Sequence, residues 1–587
     1  MNRRIGLLLA LLLVLAVLAD RLPLLYYSEY VYDEEEYKTG SIAALIMAGP
    51  ELPLLEYQPG DYEGGTLLFG LLTIPYFLLF GKTYLALKGV ALTTTVLMAL
   101  FASWFAWRRT GWPGGLATGA LFLLPPAAVL QIGLLPWGNY AENAMLSLAA
   151  FLLVFRQLAA PRQTIRDYLL HGVFFGLGVW IHYGFAVTVL WLLVLWWLAR
   201  PAGAGFRHGM AVLAGALVGL LPWFLYNLTH DWRGLGRLTD AVGKSTGLGR
   251  RLASGFGRLW HLWTNDLASG LHFHGFSVPA IQFLSYGYLI LALFLFGMSI
   301  AFYRRKLAEM GRALLPGSRR VEADAAFGAM FPIGFVLLYS VVFSFSDYGL
   351  LAPEWGLLDP ESHAHIFILY PMLLLAGGLA VGAAWPGRWR YPALAALVGL
   401  LGLGAVAYAG LLTPVRPQAE RLKSNAYDRD VIYMEIGIKW GAEHERIQQI
   451  ERRLSGPALQ SFVFGAGIKY GLDHARQLNI AVDKCAAQPD PLLPYCWFGI
   501  GVGLYEGRQL PVEELDALVR RAPSGLQPWL ILGGCTGNIW AGHPDHPLCA
   551  EASRIDVGAL VPPDSAAALR QFVAGHLAMA EVRPAKQ

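Results

Sequence analysis

Charge is scarce in this chain. Asp, Glu, Lys and Arg make up 15% of 587 residues, where soluble proteins carry about 25%, and 56% of the residues are hydrophobic. That balance excludes an ordinary soluble domain. Cysteine is absent before Cys485, so the larger N-terminal part has neither a disulfide nor a thiolate metal site. The net charge of +4 is small, and Lys and Arg gather at the ends of apolar runs. This is the pattern of membrane topology rather than of nucleic-acid binding. No P-loop, dinucleotide fingerprint or nucleophile triad occurs. "GAGIKYG" is Gly-rich, but it does not sit between a strand and a helix.

What the chain has instead is a series of apolar runs of bilayer length. The first, Ile5 to Ala19, follows the basic Met1 to Arg4. Val17-Leu18-Ala19 is a poor small-x-small cleavage site, so the run reads as a first span with the N-terminus inside. Further spans are expected near 84–107, 113–135, 140–157, 168–182, 184–199, 210–228, 281–303, 327–345, 365–384 and 391–412. The run 65–81 is set apart by charge. If it crosses, Arg108 and Arg109 and every later basic cluster fall outside. If it lies at the outer interface, all of them fall inside, as the positive-inside rule requires. The expectation is therefore an all-α polytopic membrane protein with about eleven spans. A long outer loop, 26–83, follows span one.

Residues 1–412 form the membrane domain and 413–587 a second domain, in which apolar runs stop and charge rises. The tail carries "GIKWG" (437–441), "GIKYG" (467–471), "GVGLYEG" (501–507) and "GNIWAG" (537–542). Their spacing suits a helix-turn-helix repeat, so a small extracytoplasmic helical repeat domain is expected. The four cysteines, Cys485, Cys496, Cys535 and Cys549, all lie here. An even number in an oxidising compartment suggests two disulfides. Pairs 485–496 and 535–549 are the simplest of three connectivities, and the CxxC spacing of a zinc site is missing.

Four consecutive acids, Asp33 to Glu36 in "YDEEEY", follow the first span, and "GDYEGG" supplies Asp61 and Glu63 about thirty residues later. Acids in a row beside a bilayer are costly unless they face water or do chemistry. A carboxylate there can deprotonate an acceptor hydroxyl. Asp33 and Glu34 lie closest to the exit of span one and are the candidates, while Glu35 and Glu36 continue the run as solvated charges.

The order and spacing of these segments resemble the GT-C glycosyltransferases, in the branch of protein O-mannosyltransferases and lipid A aminoarabinose transferases. "YDEEEYKTGSIAAL" resembles that branch's acidic motif and first juxtamembrane helix. "YEGGTLLFGLLTIPYFLLFG" resembles its second region, and "SHAHIFILYPMLLLAGGLA" a late span. Two departures stand out: His363 and His365 replace an Arg–Tyr-type pair, and the Lys-Pro or His-Pro that follows the acid in many relatives is missing from "YEGG". The resemblance implies a GT-C-like bundle with juxtamembrane helices in the first outer loop. It also implies inverting transfer of a sugar from a polyprenyl-phosphate donor. Asp33 is then the base, Glu34 orients acceptor or base, and Glu63 holds sugar hydroxyls or positions Asp33.

The departing phosphate needs positive charge, for which Lys38, His230, Arg233 and Arg237 are candidates. Asp61 sits beside Glu63. Asn139 and Glu142 in "LPWGNYAEN" either line the same cavity or, for Asn139, cap a helix. The i,i+2 pairs His272/His274 and His363/His365 leave a divalent metal open, with hydrogen-bonded loop histidines the simpler reading. No cofactor is demanded. Expected partners are a lipid-linked sugar donor, membrane lipid, and an acceptor glycan, lipid or protein, with a protein partner on the tail as a further option and no nucleic acid. Expected placement is a bacterial inner membrane with loops and tail on the periplasmic or outer side. The alternative is a non-catalytic relative that binds lipid or glycan and scaffolds an envelope assembly through its tail. A transporter is disfavoured, since matching broken-helix pairs are not evident.

Overall fold

The computed structural model describes residues 3–28, 31, 36–59, 64–160, 164–199, 205–236, 248–271, 277–315, 321–346, 364–412, 431–441, 443–506, 510–540, 543 and 545–578. Among these residues every regular element is a helix. The chain separates into two compact units, Met1–Ala43 with Asp61–Asn425, and Ala44–Gly60 with Ala426–Gln587.

The first unit holds α1 (Arg3–Tyr27), most of α2 (Glu36–Ala48), α3 (Gly65–Phe80), α4 (Tyr84–Thr110), α5 (Trp112–Leu123), α6 (Ala127–Ile132), α7 (Tyr140–Leu158), α8 (Ile165–Ile181), α9 (Phe185–Ala199), α10 (Phe206–Gly219), α11 (Leu221–Thr229), α12 (Leu248–His261), α13 (Val278–Ala313), α14 (Ala325–Phe345), α15 (Leu369–Ala384) and α16 (Arg390–Leu411). Six stretches are long and apolar enough to cross a bilayer: Gly6–Tyr27, Tyr84–Thr110, Tyr140–Leu158, Pro279–Ala313, Ala325–Phe345 and Arg390–Leu411. A seventh arises if α10 and α11, bent by 50°, count as one broken span. The protein is therefore an α-helical membrane protein. At 16 residues, α3 rises about 24 Å against a hydrocarbon core of about 30 Å.

Local chemistry sets many helix ends. Thr83, Thr164 and Asp324 cap α4, α8 and α14 by accepting from Ala86, Asp167 and Phe327 backbone N–H groups. Gly111, at φ +78, turns the chain between α4 and α5.

The expected span at 210–228 is divided between α10 and α11, and a second expected span is also divided. The span at 113–135 is broken into α5 and α6, because Pro125 and Pro126 cannot continue the helical hydrogen bonding. Helical pairing would direct the Phe122 carbonyl to residue 126, a proline with no N–H. Arg21 of α1 takes over: its guanidinium donates to Phe122 O at 2.8 Å and Leu123 O at 3.1 Å, and it also pairs with Asp20. The buried charge in the first span thus satisfies a proline break in another.

Small residues let helices touch. Gly172 and Gly176 of α8 face Gly215 and Gly219 of α10, and a Cβ on any of the four would strike the opposing backbone. This is the close approach that paired small residues allow in a bilayer, where dispersion rather than hydrophobic burial drives packing. Gly114 of α5 lies against the Gly378 carbonyl of α15, and Thr118 fills the space beside Gly378.

The second unit contains α17 (Val431–Trp440), α18 (His444–Glu451), α19 (Gly456–Asp473), α20 (Leu478–Cys485), α21 (Leu493–Glu506), α22 (Val512–Arg520), α23 (Gln527–Trp540), α24 (Pro547–Ala552) and α25 (Pro563–Ala578). The four glycine-bearing sequences begin on α17, α19, α21 and α23, which pack in succession. Gly437 lies against the Phe462 carbonyl, Gly467 against Cys496 and Gly501 against Leu530. Cys485–Cys496 and Cys535–Cys549 form two disulfides, with Cα separations of 5.8 and 4.7 Å. The locally paired connectivity is the one adopted.

Ala44–Gly60 belongs to this second unit. It comprises the end of α2 and a short turn, Leu54–Tyr57. Tyr57 is fully buried. Its hydroxyl accepts from the Glu51 and Leu52 amides at 2.8 and 3.1 Å and meets the Tyr433 hydroxyl at 3.4 Å.

Candidate functional site

Asp33, Glu34, Asp61, Glu63, Arg237, His272, His274 and His363 lie outside the described residues. What is described is the frame on either side of both acidic clusters.

On the first side stands Glu36, at the start of α2. Expected as a solvated charge, it is instead fully buried, because Lys88 of α4 reaches it. The Lys88 ammonium pairs with the Glu36 carboxylate and donates to Val31 O at 2.7 Å and Leu134 O at 2.9 Å. The Tyr84 hydroxyl donates to Glu36 Oε1 at 3.0 Å. A buried charge is tolerated when it is paired and its other hydrogen-bonding sites are filled, and Lys88 uses three donors for that purpose. Lys88 and Glu36 thus fasten the end of the acidic motif to α4 and to the link between α6 and α7. Lys38, two residues on, is half-buried.

On the second side, Gly64 directly follows Glu63. Its N–H donates to Trp180 O at 2.7 Å, at the end of α8. Gly65 and Gly138 approach so closely that a Cβ on either would overlap the other's backbone. Thr66 Oγ1 donates to Trp137 O at 3.1 Å, and Thr39 Oγ1 of α2 donates to Pro136 O at 2.7 Å. The short link Leu134–Gly138 therefore receives α2, Lys88 and the start of α3. Segments far apart in sequence meet on five residues of backbone.

The next turn of chain adds polar groups. Asn139 Oδ1 accepts the Tyr140 N–H at 2.8 Å and caps α7. Glu142, in the first turn of α7, is fully buried, and neither carboxylate oxygen has a hydrogen-bond partner of normal geometry among the described residues. His182 Nδ1 accepts from the Gly184 amide at 3.0 Å and lies 3.3 Å from Asn143 Nδ2, which assigns the ring hydrogen to Nε2. The Tyr140 ring stands edge-on to both His182 and His365, at 5.4 and 5.3 Å between centroids. The His365 carbonyl accepts from the Tyr339 hydroxyl at 2.6 Å.

Tyr183 ties a further turn to this region. Its hydroxyl donates to Gly234 O at 3.2 Å and accepts from Trp223 Nε1 at 2.6 Å. That turn carries His230 and the half-buried Arg233. His230 stacks on Tyr226 at 3.9 Å, and its Nδ1 lies 2.7 Å from the Tyr226 carbonyl, so this nitrogen is spent on the fold. Outside this cluster, Asp266 pairs with His261 at 2.9 Å. Burial pushes the Asp266 carboxyl above its ordinary value, and His261 opposes that rise. Among the described residues no group of three or more His, Cys, Asp or Glu is placed to hold a metal.

No family model matches the chain. No curated protein matches it either. Among solved structures it is similar to the crystal structure of the Archaeoglobus fulgidus oligosaccharyltransferase complex with Zn and sulfate, at 13% identity and a TM-score of 0.38, over 77% of this chain. The match covers 58% of that structure's chain, less than two thirds of its length. Similarity at that level assigns neither a residue nor an activity.

Sequence reasoning left Asn139 between cavity lining and a helix cap, and it caps α7. It missed Lys88, Asn143 and His182, and it read the buried Glu36 as solvated. Lys88 had a signal, since an ionisable residue inside an apolar span demands a partner or a function. His182 had a weaker one, as the polar break in "WIHYGF" between two apolar runs.

Proposed function

We propose that the chain is a membrane glycosyltransferase that moves a sugar from a polyprenyl-phosphate-linked donor to an acceptor hydroxyl on the extracytoplasmic side. The observation that carries this reading is the convergence on Leu134–Gly138. Glu36 and Lys88 hold one acidic cluster to that link, and Gly65 and Thr66 hold the chain that leaves the other. Asp33 is three residues from Glu36, a chain reach of about 11 Å, and Glu63 is covalently joined to Gly64. Short peptide thus joins each cluster to a residue anchored at a link that leads directly into Asn139 and Glu142.

In the proposed reaction the acceptor oxygen attacks the anomeric carbon as the bond from that carbon to the phosphate oxygen breaks. The acceptor proton passes to Asp33, and the polyprenyl phosphate leaves with the bonding pair. In-line attack inverts the configuration. Glu34 orients the acceptor or the base, and Asp61 and Glu63 hold sugar hydroxyls. Lys38 and Arg233, with Arg237, are the cations offered to the leaving phosphate. Buried Glu142 is an acceptor ready for a hydroxyl or cationic group that enters the site.

The test is transfer by purified protein from a panel of polyprenyl-phosphate sugars of known anomeric configuration, with the product configuration determined. Inverted product supports the reading and retained product refutes the single displacement. Binding of these lipids without transfer to any acceptor class turns the evidence to a non-catalytic lipid or glycan binder.

A further inference from the structure

Positive charge gathers where the ends of α4, α7 and α14 meet. Arg108 and Arg109 lie in the last turn of α4, and Arg156 in the last turn of α7. The Arg109 guanidinium lies over the Phe155 ring of α7 at 3.1 Å and 5.1 Å from the Phe105 ring centroid. Gly328, in the first turn of α14, makes room for it, since a Cβ there would overlap Arg109 Cδ and Nε. Among the described residues none of the three arginines has an ion pair or a hydrogen bond. Arg109 is half-buried, and its Nε is enclosed without an acceptor. Asp324, one turn before Gly328, is already engaged, because it caps α14 and pairs with Lys306 at 3.0 Å. A guanidinium carries five donors, and leaving donors unmet in a half-buried place is costly. The two rings fix the plane of the fork but satisfy none of its N–H groups.

Depth identifies the missing acceptor. At 27 residues, α4 rises about 40 Å, more than the roughly 30 Å hydrocarbon core, so its ends reach the headgroup layer. Trp104, one turn before Arg108, and Trp112, at the start of α5, are 60% and 51% exposed, as in an interfacial aromatic belt. We propose that Arg108, Arg109 and Arg156 form a binding site for the phosphate of an anionic phospholipid. Arg109, held in plane by Phe105 and Phe155, donates directed charge-assisted hydrogen bonds to the phosphate oxygens. Arg108 and Arg156, both exposed, add charge that favours a net negative headgroup over a zwitterionic one. One lipid then bridges the ends of α4 and α7 beside α14. The site depends neither on sugar transfer nor on which leaflet it faces.

The experiment titrates the full-length protein in detergent with phosphatidylglycerol or phosphatidylcholine of identical acyl chains and reads binding by native mass spectrometry. The parent is compared with Arg109→Gln, Arg109→Lys, Arg108→Gln and Arg156→Gln. The parent should prefer phosphatidylglycerol. Arg109→Gln should weaken that lipid's binding by roughly ten- to a hundredfold, the worth of a hydrogen bond to a charged group. Arg108→Gln and Arg156→Gln should each weaken it by roughly fivefold, the worth of one nearby cation. Arg109→Lys keeps the charge without the fork and should fall between the parent and Arg109→Gln. Equal binding of the two lipids by the parent overturns the proposal. So does an Arg109→Gln effect no larger than that of Arg108→Gln or Arg156→Gln, since the charge would then act diffusely. Displacement of the lipid by millimolar inorganic phosphate also overturns it, because the site would then take a free anion. If Arg109→Gln does not fold, Arg109→Lys decides, and binding at the parent's affinity in that variant refutes the directed contact.

Discussion

Removing Lys88 probes the frame that holds the acidic loop. In Lys88→Met a flexible apolar chain of similar length keeps the packing of the buried stem and removes the ammonium. Three interactions go with it: the ion pair to Glu36 and the hydrogen bonds to Val31 O and Leu134 O. The Glu36 carboxylate keeps the Tyr84 hydroxyl but loses its counter-charge in a fully buried place. Breaking a buried pair by removing one partner costs about 3–5 kcal/mol, because the other charge is left uncompensated. Glu36→Gln alone should cost less, since the ammonium retains two carbonyls. The double variant removes both charges and should be less destabilised than the sum of the singles, by about 1–3 kcal/mol of coupling. Unfolding in detergent, followed by tryptophan fluorescence at matched protein concentration, measures all four proteins. An unfolding profile for Lys88→Met within about 0.5 kcal/mol of the parent, or strict additivity in the double variant, would refute the argument, because sites without such features respond on that scale.

Three further outcomes are expected. Breaking the Cys535–Cys549 bridge, which closes a separation of 14 residues, should cost about 2–4 kcal/mol in the C-terminal unit; a Cys535→Ser/Cys549→Ser variant that unfolds like the oxidised parent contradicts this. Gly176→Ala should destabilise by about 1–3 kcal/mol through overpacking, since its Cβ would meet the Ala216 carbonyl. Gly209→Ala, in a helix with open space around it, should be neutral or stabilising by up to about 1 kcal/mol, and equal effects at both sites would remove the packing explanation. Ser424→Cys should react with a membrane-impermeant thiol reagent on intact cells, whereas labelling only after rupture would place the tail inside and undo the proposed topology.

Much of the helical framework could be read from the sequence. Apolar runs marked α4, α7, α14 and α16 because bilayer length and low charge are local properties. The break at Pro125–Pro126 was equally local, yet a window average over 113–135 smooths it away. Averaging also hid Lys88, a single charge in an otherwise apolar window whose partner lies in a distant segment, while Arg21 lay just past the first run. The disulfides followed from short spacing. The glycine sequences of the tail were visible, while the backbone-to-backbone approach they permit was not. Least legible were the contacts that build the candidate site. Nothing in Thr39, Gly64 or Thr66 points to Pro136, Trp180 or Trp137, because a single sequence carries no record of which distant segments meet. The assignment of Ala44–Gly60 to the tail's unit was hidden for the same reason.

The proposal that Asp33 is the base of sugar transfer is tested most directly by comparing Asp33→Asn with the parent under single-turnover conditions, using a labelled polyprenyl-phosphate sugar that the parent transfers. The substitution keeps shape and removes proton affinity. Transfer should slow by roughly a hundred- to ten-thousand-fold, the worth of a general base, with donor affinity retained because the base faces the acceptor. Transfer at the parent's rate in Asp33→Asn would contradict the account.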